Sequence, residues 1–164
     1  MADVTNNLSL HIIDESEYIE PDPINENFKK VDAAFADYVV EQGTKGEWWY
    51  RKWNSGRLEC GVDAHNFGTY TTSTNWGSAQ GIYVGDALTF GVFPVAFMEI
   101  PFYTVSLVKS DYPGMAGWIG MGGGTNPNIS SVSKTNSGYF YYANPNKTTF
   151  NNMYCSCYAT GRWK

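Results

Sequence analysis

The chain has 164 residues, a net charge of −5, and 43 % hydrophobic and 16 % aromatic residues. That describes one domain of ordinary size with enough apolar material for a core, which excludes a disordered chain. The acidic balance and the scattered Lys and Arg residues exclude a phosphate-binding face, so nucleic acid is not an expected partner.

Residues 1–22 read as an N-terminal attachment arm. They open without the basic-then-apolar order of a leader. Leu8, Leu10 and Ile12 alternate with polar residues, and Pro21 and Pro23 interrupt the chain. Asp22 as N-cap and Pro23 at the first helical position predict a helix over Ile24 to Gln42, closed by Gly43. Ile24, Phe28, Val31, Phe35 and Tyr38 follow steps of 4, 3, 4 and 3, a heptad seam narrower than the stripe of a core-lying helix. Residues 23–42 are therefore expected to form the neck of an oligomer, too short to hold without the β domain.

From residue 46 to residue 164 the pattern is β. Strands are expected at Glu47 to Trp53 and Arg57 to His65, joined by a tight turn at Asn54-Ser55-Gly56, with Leu58, Cys60, Val62 and Ala64 on one face. Residues 66–81 read as a long Thr/Asn/Gly loop. Further strands are expected at Ile82 to Phe90, broken by Gly85, then at Phe93 to Ile100, Phe102 to Lys109 and Met115 to Met121. Ile129 to Ser133 and Gly138 to Tyr142 read as a second hairpin, and Asn144-Pro145-Asn146 as a turn. Asn152 to Lys164 closes the chain, with Met153, Cys155, Cys157 and Ala159 on one face and Tyr154, Ser156 and Tyr158 on the other. Roughly eight short strands without an internal repeat predict a mostly-β fold, a β-sandwich head domain after one helix.

Catalytic and metal chemistry find little support. The two histidines, His11 and His65, lie far apart in sequence, and no metal-type spacing is present. Cys155 and Cys157 beside Cys60 could hold a soft metal or form one bridge, but burial as small hydrophobes is the expectation. No Gly-x-Ser-x-Gly elbow exists, and Asp63 and His65 share a strand face without a serine partner. Glu47 and Glu59 on paired strands could approach as two carboxylates, yet Arg51, Lys52 and Arg57 offer them ion pairs. The glycine run from Gly120 to Gly124 lacks the Lys-Ser/Thr of a phosphate loop. The chain is expected to be no enzyme, with no cofactor and no metal. No run reaches the roughly 18 apolar residues of a membrane helix, so no membrane insertion is expected.

Aromatics carry the strongest functional signal. Trp48, Tyr50, Tyr70, Trp76, Trp118, Tyr139, Tyr141 and Tyr142 exceed what one small core holds, which places some at the surface or at subunit contacts. Rings stack on the CH faces of sugars, and amides and hydroxyls pair with sugar hydroxyls. Tyr70, Thr72, Asn75, Trp76 and Trp118 are the candidate glycan-binding residues, although each would equally serve a core or a subunit contact.

The segment EYIEPDPINENFKKVDAAFAD resembles the start of tail-fibre and minor tail proteins in phages and prophages of gut Firmicutes, through Tyr18, Ile24, Asn25, Glu26, Asn27, Phe28 and Asp32. The run from Trp49 to Gly56 with Glu59-Cys60 resembles the opening of phage tail-fibre head domains. Phe93-Pro94-Val95-Ala96-Phe97 with Ile100-Pro101, and the ending Gly161-Arg162-Trp163-Lys164, are similar to theirs as well. The Phe93, Phe97, Pro101 spacing also resembles H-type lectins. This resemblance implies a homotrimer with a β-sandwich head in the virion tail, made in the bacterial host cytoplasm. It further implies contact with other tail proteins through the arm and recognition of host-surface carbohydrate. Two alternatives stand beside it: a structural tail or baseplate protein with protein partners only, and a surface-polysaccharide depolymerase, which the sparse acids disfavour.

Overall fold

The computed structural model describes residues 21–34, 37–78, 80–109, 117–121 and 131–164. The chain divides into two units, Met1–Tyr38 and Val39–Lys164. In the first unit the described element is helix α1, Pro21–Ala34. The arm expected over residues 1–22 falls almost wholly outside the described residues. The helix starts where the Asp22-Pro23 signal places it, within the usual one or two residues. It does not reach Gln42, because Val39–Lys45 is a strand. β-branched Val39, Val40 and Thr44 suit a pleated surface, and the segment pairs with the next strand, with a register shift at Val40. Of the seam residues, Ile24 and Val31 are partly buried and Phe28 is exposed. Tyr38 lies beyond the helix end, and Phe35 lies outside the described residues.

The strands of the second unit are β1 (Val39–Lys45), β2 (Trp48–Trp53), β3 (Arg57–Asn66), β4 (Tyr70–Thr72), β5 (Thr74–Asn75), β6 (Tyr83–Val84), β7 (Phe102–Lys109), β8 (Trp118–Met121), β9 (Phe140–Asn144), β10 (Thr148–Phe150) and β11 (Tyr154–Arg162). The fold is mostly β, with one helix among the described residues, and its sheets are antiparallel, in keeping with a sandwich. A five-stranded sheet runs in the order β1-β2-β3-β11-β7, a four-stranded sheet in the order β5-β6-β9-β8, and β4 pairs with β10.

The β2–β3 hairpin forms as its turn chemistry predicts. Gly56 sits at φ 92°, which an L side chain resists, and its N–H donates to the Trp53 carbonyl at 3.0 Å. Leu58, Cys60 and Val62 face inward as expected, but Ala64 is exposed. The ladder explains this. Cys157 pairs with Val62 and Cys155 with His65, so one residue of β11 opposes both Asp63 and Ala64. That bulge leaves Asp63 on the outer face and returns His65 to the inner one, so the two do not share a face. His65 packs against the rings of Phe67 and Phe90 and bonds to Glu47.

Several other stretches depart from the sequence pattern, among them Ile82 to Phe90, where only Tyr83–Val84 is a strand. The expected loop at 66–81 contains β4 and β5, whose alternation puts Tyr70 and Thr72 inside. Phe93 to Ile100 is not a strand. The Phe93 and Phe97 N–H groups donate to the Thr135 and Lys134 carbonyls and that of Met98 to Arg162, outside any ladder, while Pro94 has no N–H to give. Of the expected second hairpin, Ile129 and Ser130 lie outside the described residues, Ser131 to Ser133 form no strand, and β9 pairs with β6 and β8. Of the expected Met115 to Met121 segment, Met115 and Ala116 lie outside the described residues and Trp118–Met121 is strand β8.

The inner faces meet in one core. Leu58, Cys60, Cys155, Cys157 and Ala159 from the larger sheet pack with Phe140, Tyr142 and Phe150. Rings meet edge to face, as for Tyr142 with Phe150 at 5.4 Å and Phe93 with Phe97 at 5.1 Å. Each fully buried side chain of this size contributes about 1.5–3 kcal/mol. The end of the chain closes onto the hairpin. Trp163 donates from its N–H to the Gly56 carbonyl (3.0 Å) and from its indole to the Trp53 carbonyl (3.1 Å). A Cβ at Gly161 would meet the Phe97 ring at 2.9 Å. The hairpin turn, the Phe93 to Phe97 segment and the closing Gly161 to Lys164 therefore share one corner.

Candidate functional site

The period-two alternation of β2 decides where two adjacent tryptophans go. Trp48 is buried, in edge-to-face contact with Phe93, and Trp49 points to the opposite, outer face of the five-stranded sheet. Trp49 is in register with Gly61, where a Cβ would stand 2.9 Å from the indole Cζ2. Only a residue without a side chain lets the ring settle there. The indole N–H donates to Asp63 Oδ1 at 3.0 Å, and the Tyr158 ring stands 6.2 Å away at 42°.

Two troughs flank this ring. One, of about 300 Å³, is lined by Trp49, Asp63, Thr104, Ser106, Ser156 and Tyr158 among others. The other, of about 340 Å³, is lined by Gln42, Thr44, Trp49 and Arg51 among others. Arg51 holds its guanidinium 5.9 Å from the Trp49 ring.

Glu59 fixes the surroundings. It accepts from the Tyr158 hydroxyl at 2.8 Å and from the Trp53 indole at 3.1 Å, and it pairs with Arg57 at 3.5 Å. Arg57 in turn lies 4.3 Å from the Trp53 ring centre. Burial, with the neighbouring Glu59 carboxylate, pushes the Tyr158 phenol above its ordinary value, so it remains a donor at neutral pH. The result is an aromatic surface with fixed rings, one open carboxylate and several hydroxyls. Sugars meet such surfaces well: CH faces stack on rings, and hydroxyls find donors and acceptors.

The residues singled out from sequence divide. Tyr70 and Thr72 are buried, and they serve the core. The Tyr70 hydroxyl donates to the Tyr142 carbonyl and accepts from Gly85 N–H, and the Thr72 hydroxyl donates to the Asn146 carbonyl at 2.9 Å. Their ring and hydroxyl are thus not offered to a ligand. Asn75, Trp76 and Trp118 are exposed. Trp76 reaches Gly120, where a Cβ would stand 2.5 Å from its Cη2. Trp118 and Gly120 share a strand face, so Trp76 and Trp118 come together on the outside of the four-stranded sheet. Asn75 alternates to the other face, in register with Tyr83. A separate cleft of about 290 Å³ runs past Thr69, Thr71, Ser73 and Asp86.

Other candidates separate too. Trp48 and Tyr142, counted among the surplus aromatics, are core residues. Arg51 is in register with Glu59, so Glu47 and Glu59 stand about four residues apart along the ladder, roughly 13 Å at the rise of an antiparallel strand. The three cysteines are buried free thiols, and burial pushes each up to about 12. Among the described residues no group of three or more His, Cys, Asp or Glu side chains is arranged to hold a metal ion. No helix among them is long and apolar enough to cross a membrane.

Trp49, Asp63 and Tyr158 escaped the sequence reading as ligand residues. Their signal was present: a Trp-Trp pair in a strand must place one ring outward, and Tyr158 alternates with buried Cys157 and Ala159. What sequence could not supply was the register that sets Trp49 opposite Gly61. No family model, no curated protein and no solved structure matches this chain.

Proposed function

We propose that this chain is a receptor-binding head of a phage tail fibre, adhering to host-surface carbohydrate through the outer face of its five-stranded sheet. The observation that carries the carbohydrate reading is Trp49, an outward ring seated on Gly61 between two troughs lined by hydroxyls and charged groups. The tail-fibre assignment rests on the sequence resemblance, and the Ile24-Phe28-Val31 seam of α1 supports a trimeric neck. Three copies on one fibre, and several fibres on one particle, would raise avidity far above single-site affinity.

A glycan array tests this. The full chain should bind a subset of bacterial surface glycans, and Trp49→Ala should lose that binding while keeping its mass in solution and its melting curve. Binding that survives Trp49→Ala but is lost in Trp76→Ala would move the site to the four-stranded sheet.

Exposed Met98, Ile100 and Phe102, at 55, 68 and 66 % exposure, favour a second reading in which the head works only against other virion proteins. That reading expects no glycan on the array to bind and association only with tail components.

A further inference from the structure

The two troughs beside Trp49 carry opposite charges, and we infer that they read two neighbouring units of one glycan: an amino sugar at Asp63 and an acidic sugar at Arg51. This rests on the carbohydrate reading of the Trp49 face.

The geometry is specific. Asp63 uses Oδ1 to accept the Trp49 indole N–H, and its carboxylate lines the first trough together with the Thr104, Ser106 and Ser156 hydroxyls. Arg51, two residues from Trp49 on the same strand face, lines the second trough with Gln42 and Thr44. Among the described residues neither Asp63 nor Arg51 forms an ion pair. The acid that would most readily neutralise Arg51 is its register partner Glu59, and that carboxylate is held by Tyr158, Trp53 and Arg57. Among the described residues each trough therefore keeps one charge without an opposite partner next to the shared ring. A ligand laid across Trp49 meets a carboxylate at one end and a guanidinium at the other. A planar guanidinium suits a carboxylate or phosphate substituent, and a carboxylate suits an ammonium group. Hexoses without charge gain the stacking but neither ionic hydrogen bond.

Saturation-transfer NMR with glucosamine, glucuronate and methyl glucoside as probes, on the full chain and three variants, separates the parts. Asp63→Asn keeps an acceptor for the indole, and it should weaken glucosamine by about threefold to tenfold while leaving glucuronate unchanged. Arg51→Gln should do the reverse. Methyl glucoside should be indifferent to both and lost in Trp49→Ala. If both charge variants leave the charged sugars within about twofold while Trp49→Ala abolishes them, the charge assignment is overturned and the sugar site stands. If Trp49→Ala leaves all three probes bound, or the wild type binds none of them, the underlying reading falls with it.

Discussion

Trp49 covers Gly61 across the β2–β3 ladder so closely that a Cβ at residue 61 would stand 2.6 Å from the Cys157 carbonyl oxygen and 2.9 Å from the indole. The backbone oxygen cannot swing aside as a flexible side chain would. Gly61→Val should therefore destabilise the protein by about 1–3 kcal/mol, as overpacking does. It should also lift Trp49 and weaken sugar binding. A urea midpoint with an unchanged slope, beside a binding titration, checks both effects.

Glu59 organises the same surface from below. Removing its carboxylate leaves the Tyr158 hydroxyl and the Trp53 indole without their acceptor and Arg57 without its partner. Glu59→Ala is expected to cost about 1–3 kcal/mol, the penalty for stranded donors. Tyr158→Phe removes one donor and should cost less. Equal midpoints for Glu59→Ala and the wild type would show that water replaces these bonds freely.

Tyr103 makes the opposite case. Its hydroxyl is buried beside the Cys157 thiol and the Ser137 hydroxyl, yet it has no hydrogen bond of acceptable geometry among the described residues. An unmet polar group in the core is a standing penalty, so Tyr103→Phe should raise stability by about 1 kcal/mol. Thermal melts of the two proteins decide it.

The buried thiols set an alkaline limit. Cys60, Cys155 and Cys157 move from an ordinary 9.0 up to about 12, mainly through burial. A raised acid holds its proton in the folded state while the unfolded chain releases it. The stability this linkage supplies is whole below pH 9 and declines as pH rises toward about 12. The buried phenols of Tyr70 and Tyr103 shift in the same direction. Urea midpoints should fall steeply above pH 9, and a thiol reagent at pH 8 should find the cysteines only after unfolding.

The legible parts of this fold are those governed by local rules. Cys155, Cys157 and Ala159 declare an inward face by their spacing alone, and Asn54-Ser55-Gly56 declares a turn through the one residue that accepts its backbone angle. Val39 to Gln42 continues the expected helix in the sequence pattern, because its strand character depends on β2, a partner that periodicity does not reveal. Tyr70 and Thr72 fall in an expected loop because strands of two or three residues carry too short an alternation to detect. The same limit hid the site. Asp63 faces outward by simple alternation after the buried Val62, but Trp49 has its seat because of a glycine on the neighbouring strand, which is a fact of register.

Trp49 as the proposed sugar platform has a direct reporter in its own indole N–H. With the tryptophans labelled with nitrogen-15, a titration with glucosamine and then methyl glucoside should shift the Trp49 signal, identified by its loss in Trp49→Phe, and leave the buried Trp48 signal in place. Movement confined to the Trp76 and Trp118 signals, with Trp49 unmoved, would rule out Trp49 as the platform and put recognition on the other sheet.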